Sequence, residues 1–125
     1  MKKFITILVL SFLFFNSINA EERKDELDKL FTQLKNTKNL SSAQILENKI
    51  WKIWSTHPSN DRKGFRLTEL LDQGALLIDR GEFDKAYEIF SNIILVDPSW
   101  AEAWNQRALV LYLMKQYQSS LDDIN

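Results

Sequence analysis

His57 is the one histidine in a chain of 125 residues that has no cysteine. An imidazole does acid–base chemistry as part of a set, with a nucleophile to deprotonate and a third group to orient it. No such set can be placed beside His57. It sits at the end of a helical stretch, next to Pro58, where an imidazole suits the last carbonyls of the helix. Asp122 and Asp123 are neighbours, so on a helix they diverge by about 100 degrees, cannot easily share a proton or a metal, and read as a solvated face. Asn39-Leu40-Ser41 has the form of a glycosylation acceptor, but its residue types equally make a turn and a helix cap. Trp51, Trp54, Trp100 and Trp104 complete the conspicuous residues. An exposed tryptophan can anchor a partner, whereas a small hairpin needs large side chains to stay folded; of Trp51 and Trp54 one is expected to pack inward and the other to be partly exposed, with packing in the hairpin preferred to a partner role. These residues imply no catalytic group, no cofactor and no metal.

The elements that would position them are written in a period. Between Leu67 and Asn125 one pattern occurs twice at an interval of 34 residues, Leu70 falling over Trp104, Gly74 over Ala108 and Leu77 over Leu111. Phe83 falls over Tyr117, Ala86 over Ser120 and Phe90 over Ile124, so small residues meet small and large meet large. Gly74 and Ala108 lie inside a first helix, Ala86 and Ser120 inside a second, where antiparallel helices approach most closely. Asp79-Arg80-Gly81-Glu82 ends the first helix with a glycine suited to the left-handed conformation. Pro98 stops the second, and Ser99 with Glu102 reads as a capping box for the next. A repeat of this size cannot bury its apolar face alone and closes it against its neighbour. The fold class is therefore all-α, an antiparallel helix-pair solenoid. Trp104, in register with Leu70, is expected in its core.

Leu70, Gly74, Leu77, Gly81, Phe83, Ala86, Phe90 and Pro98, then Trp104, Ala108, Leu111, Tyr117 and Ser120, resemble the tetratricopeptide repeat. The stretch from Ala101 to Ile124 is similar to exported bacterial members of that family without assigned chemistry. Two positions depart from the pattern. Lys115 stands where the turn glycine is usual, which implies a strained turn after Met114, and Ile93 stands where a small residue is usual, which implies a looser fit between units. The resemblance also implies a concave face lined by the first helix of each pair. Here that means Leu71, Ala75, Ile78, Glu102, Asn105, Leu109, Tyr112 and Leu113, suited to an extended or helical apolar segment of a protein or peptide. The family's variant that clamps a C-terminal carboxylate uses Lys, Arg and Asn on this face. Ala75 and Leu109 take the places of some of these, so no such clamp is implied.

Residues 1–20 stand apart. Lys2 and Lys3 precede the apolar run Phe4 to Phe15, and Asn16-Ser17-Ile18-Asn19-Ala20 leads into the charged Glu21 to Glu26, the order of a secretory signal peptide cleaved after Ala20. As a helix the apolar run reaches about 18 Å, short of the roughly 30 Å of a bilayer core, so a retained anchor is the poorer reading. The expected location is the periplasm or the medium, with no stable membrane insertion after cleavage. Setting Lys2 and Lys3 aside with the leader lowers the 16 basic residues against 17 acidic ones, so no basic face for nucleic acid is implied. The run Glu21 to Glu26 reads as a solvated, disordered start.

Leu27, Leu30, Phe31 and Leu34 then mark a short helix from about Asp25 to Asn36, and Ser41 with Gln44 opens another that carries Leu46, Ile50, Ile53 and Trp54. Residues 21–65 are expected to form a divergent hairpin capping the array, with Ser59 to Gly64 as a surface loop. Residues 67–100 make the first repeat, and residues 101–125 an incomplete second that implies truncation at the C-terminus. The function expected is non-catalytic protein binding or scaffolding in the cell envelope. The alternative is an accessory N-terminal domain of a longer envelope enzyme whose active site lies beyond residue 125. No oligomeric state follows from the sequence.

Overall fold

The computed structural model describes residues 20–125, so the signal peptide expected over residues 1–20 lies, but for Ala20, outside the described residues. Among the described residues there are six helices and no strand: α1 (residues 20–36), α2 (Leu40–Ser55), α3 (Arg62–Asp79), α4 (Phe83–Val96), α5 (Ala101–Leu113) and α6 (Tyr117–Ile124). The chain parts into two units between Ile53 and Trp54.

In the first unit α1 and α2 run antiparallel. Arg23, near the start of α1, donates to the carbonyl of Ile53 near the end of α2, and Leu30 and Ile50 are buried. The run Glu21 to Glu26, expected to be disordered, is helical instead. Neither proline nor glycine interrupts residues 20–36, the acidic side chains face the favourable end of the helix dipole, and Lys24 pairs with Asp28 one turn on at 3.3 Å. The start of α2 is also corrected. Asn39 caps it in place of Ser41, its Oδ1 accepting the Ser42 N–H at 3.0 Å and its carbonyl the Ala43 N–H at 2.9 Å.

The second unit stacks α3 on α4, α4 on α5 and α5 on α6, with α3 also reaching α5. Leu67, Leu71, Phe90, Ile93, Ala103 and Val110 lie in one core, which Trp100 and Ile94 close. The small residues do what their positions require. A Cβ on Gly74 would stand 2.5 Å from the Phe90 ring, so α3 and α4 can meet at this distance only over a glycine. Ala86 is fully buried. In the second pair the Ser120 hydroxyl, in register with Ala86, donates to the Ala108 carbonyl at 2.7 Å.

The period extends to single backbone bonds. Gly81 N–H donates to Ile78 O and Glu82 N–H to Leu77 O, both at 2.9 Å; 34 residues on, Lys115 N–H donates to Tyr112 O and Gln116 N–H to Leu111 O at 2.9 and 2.8 Å. Gly81 has φ +73° and Lys115 +62°. Lys115 thus takes the left-handed conformation with a side chain, and the strained turn expected there is present.

Three local expectations are revised. Helix α3 starts at Arg62, not after the Ser59 to Gly64 loop, because Asp61 Oδ1 accepts the Gly64 N–H at 2.7 Å and caps it. Gly64 is buried in its first turn, where a Cβ would overlap the Ser59 carbonyl. Ser99 does not cap α5: its N–H and hydroxyl both turn back to Asp97 Oδ1, at 3.1 and 2.5 Å, and Trp100 takes the cap position without a side-chain bond. Ile93 leaves no loose fit, since it is fully buried in the core.

Candidate functional site

Helix α5 is two-sided. Ala103, Gln106, Ala108, Val110 and Leu111 are buried, while Asn105, Leu109, Tyr112 and Leu113 are exposed at positions i, i+4, i+7 and i+8 of one stripe. Leu109, Tyr112 and Leu113 are 44%, 60% and 38% exposed, a large apolar share for a face with solvent over it. Tyr112 is held from the side by Tyr117, the two rings 5.5 Å apart and tilted. The remaining residues of the expected lining divide. Ala75 and Ile78 are half-buried on α3, Ile78 packing against the core. Leu71 and Glu102 are corrections, each buried and so not part of an open face. Leu71 points into the core between α3 and its neighbours. Glu102 is turned aside by Gln106, one helical turn on, whose Nε2 donates to its Oε1 at 2.9 Å.

The second unit also holds two polar joints, and neither was visible in the sequence. The first surrounds His57, which is buried and does not seek the last carbonyls of α2. Its Nδ1 accepts the Ser59 N–H at 3.0 Å, which leaves the proton on Nε2, 2.8 Å from Asp97 Oδ2. The Trp100 ring meets it edge-on at 4.9 Å. His57 N–H donates to the Thr68 hydroxyl, which in turn donates to Gly64 O. The Ser99 hydroxyl and, next, the His57 ring hold the Asp97 carboxyl below the usual carboxylate range. A histidine beside an aspartate resembles an acid–base pair, yet both ring nitrogens are committed, so this one ties the α2–α3 link to the α4–α5 turn. Residues forty apart in sequence meet here, and no local pattern marks them.

The second joint is Arg107. Its Nε and Nη2 donate to the two oxygens of Asp123 at 2.7 and 2.6 Å, and Nη1 reaches the Ser91 hydroxyl at 3.2 Å. The guanidinium lies 4.9 Å from the Trp104 ring and 5.5 Å from that of Tyr87. Asp123, first of all through its hydrogen bonds, raises the Arg107 pKa. One side chain thereby joins α4, α5 and α6. This corrects two expectations. Asp123 is half-buried, its side chain turned in against Arg107, and only Asp122 is exposed; Trp104 is half-buried, stacking on Arg107 while its Nε1 donates to Pro98 O at 2.9 Å. Of Trp51 and Trp54 one was expected to pack inward and the other to be partly exposed, and both are exposed, at 49% and 41%. Trp100, given no part from the sequence, is the buried one.

Among the described residues no group of His, Asp and Glu is placed to hold a metal, and no helix is long and apolar enough to cross a membrane. Paired helices in a 34-residue register, with a part-apolar stripe on the first helix of a pair, define a helical repeat of the interaction type. No protein-family profile and no solved structure matches the chain. A curated protein of Rhizobium etli, named TPR repeat-containing protein, is 30% identical over 101 residues, covering 81% of this chain and 47% of the relative. That relative and the repeated turn geometry together support a tetratricopeptide-repeat protein. It spans about half the length of the curated relative it matches.

Proposed function

We propose that the chain is a non-catalytic module that binds a protein or peptide, acting in the cell envelope after export through a leader ending at Ala20. The observation that carries this reading is the stripe Asn105, Leu109, Tyr112 and Leu113. It sets apolar area beside two hydrogen-bonding groups on a helix whose opposite side is fixed in the core. Ala75 and Ile78, half-buried on α3, are the remaining residues of the expected lining. A rigid helix presenting side chains at i, i+4, i+7 and i+8 suits an apolar segment that lies along it, because binding then costs little ordering of the receptor.

The test replaces Asn105 and Tyr112 by alanine and compares capture from envelope extract by the parent and the variant. A protein retained by the parent and lost from a variant of unchanged circular dichroism supports the reading. Identical captured sets would sink it. Sequencing the N-terminus of the exported protein tests location separately: a start at Glu21 is the expected result, and material still beginning at Met1 contradicts release.

A further inference from the structure

A groove lined by none of the stripe's residues lies along α3. Between the first turns of α3 and the end of α4 runs a groove of about 500 Å³, floored by Leu67, Leu70 and Val96 and rimmed by Arg62, Lys63 and Arg66. All three cations are exposed, and among the described residues none makes an ion pair. Asp61, next to Arg62 in sequence, is occupied in capping the Gly64 N–H, although it also feels the charge of Lys63, and Glu69, three residues beyond Arg66, makes no ion pair with it.

Two features of this arrangement are unfavourable to the fold taken alone. Arg62 and Lys63 occupy the first turn of α3, which has no acidic residue. There the helix dipole favours anions and disfavours cations. Val96 is 52% exposed at the edge of the floor. Unpaired positive charge beside open apolar surface is what an acidic partner with an apolar side chain would complement. The spread of charge also selects among acidic partners. Arg62 and Arg66 are one helical turn apart and Lys63 is offset around the helix, so the rim matches several carboxylates along a chain better than one carboxylate of a small molecule.

We propose that this groove docks an acidic peptide segment of a partner protein, an aliphatic or aromatic side chain entering over Leu70 and Val96 while flanking Asp or Glu residues meet Arg62, Lys63 and Arg66. This site is additional to the stripe on α5 and shares no residue with it.

The full 125-residue chain is titrated with a short fluorescent peptide carrying Leu and Phe between glutamates, read by anisotropy. Three control probes are used: the same peptide with Lys for Glu, the same with Ser for Leu and Phe, and phosphatidylglycerol vesicles. The acidic apolar peptide is expected to bind, and raising salt from about 0.05 M to about 0.5 M should weaken it. Arg62→Glu with Arg66→Glu should cost about tenfold in affinity. Val96→Asp should weaken binding through the floor. Asn105→Ala with Tyr112→Ala should leave it unchanged, which separates this site from the stripe. No binding of the acidic peptide overturns the proposal, as does equal binding of either control peptide or unchanged affinity in the folded charge-reversal variant. Vesicle binding that displaces the peptide assigns the cations to a membrane surface and overturns it as well.

Discussion

The two helix pairs of the second unit share a backbone but are closed by different forces. Between α3 and α4 closure is apolar. Phe90 is fully buried over Gly74, Ala86 is fully buried beside it, and the turn is made by a glycine with positive φ. In the pair α5 and α6, Ile124 takes the register position of Phe90 and is 56% exposed, and no residue of α6 is buried. Directed polar contacts hold it: Arg107 to Asp123, Ser120 to the Ala108 carbonyl. The same turn is made by Lys115 against its own steric preference. A 34-residue period therefore specifies a path for the chain, and each pair reaches that path with whatever energy its side chains supply.

That contrast can be broken from either side. The largest effect is expected at Phe90→Ala, which empties the space over Gly74 and should cost about 3 to 5 kcal/mol in urea or guanidinium melts. A loss under about 1 kcal/mol would mean that apolar packing does not close the first pair. Arg107→Ala leaves the Asp123 carboxylate buried without its partner and should cost about 2 to 3 kcal/mol. The two variants differ in where they act. Amide exchange should accelerate mainly in α6 for Arg107→Ala, and throughout the unit for Phe90→Ala. Equal acceleration of α3 and α4 by Arg107→Ala would erase the distinction.

These same features mark what was legible beforehand. The period, the close approach at Gly74 and the left-handed turns at Gly81 and Lys115 follow from residue type and spacing, because each is a local steric requirement. The capping residues were misplaced because Ser41, Asn39 and Asp61 all carry suitable oxygens, and backbone geometry chooses among them. The stripe on α5 was half legible. Helical spacing identified Asn105, Leu109, Tyr112 and Leu113, but Leu71 and Glu102 are drawn inward by the core and by Gln106. His57 with Asp97, and Arg107 with Asp123, lay beyond reach, since pairs so far apart leave no trace in any window of the sequence.

The turns give a smaller test with a sign. Gly81→Ala should destabilise by about 1 kcal/mol, as a side chain in the left-handed region costs about 1 to 2 kcal/mol and the stiffer unfolded chain returns part of it. Lys115→Gly should reverse this and stabilise by about 0.5 to 1 kcal/mol. Two changes of the same sign would show that the turns are not equivalent despite their matching bonds.

The last difference is in response to acid, and it concerns the one polar joint beside the first pair. Asp97 is held below its ordinary range by the Ser99 hydroxyl and then by His57. The folded state thus binds a proton there less readily than the unfolded chain. Its contribution to stability is fully present above the unfolded value near about 4, and it is lost as pH falls through the lower folded value. Asp97→Asn removes the titrating group, so the difference in stability between parent and variant should shrink as the pH is lowered from about 6 to about 2. Constant spacing between the two melting curves over that range would mean that the carboxylate charge contributes nothing to this joint. Should the difference shrink while exchange in α6 stays unchanged, the acid-sensitive joint belongs to the α2–α3 link and the α4–α5 turn. The α6 contacts would then be maintained without it.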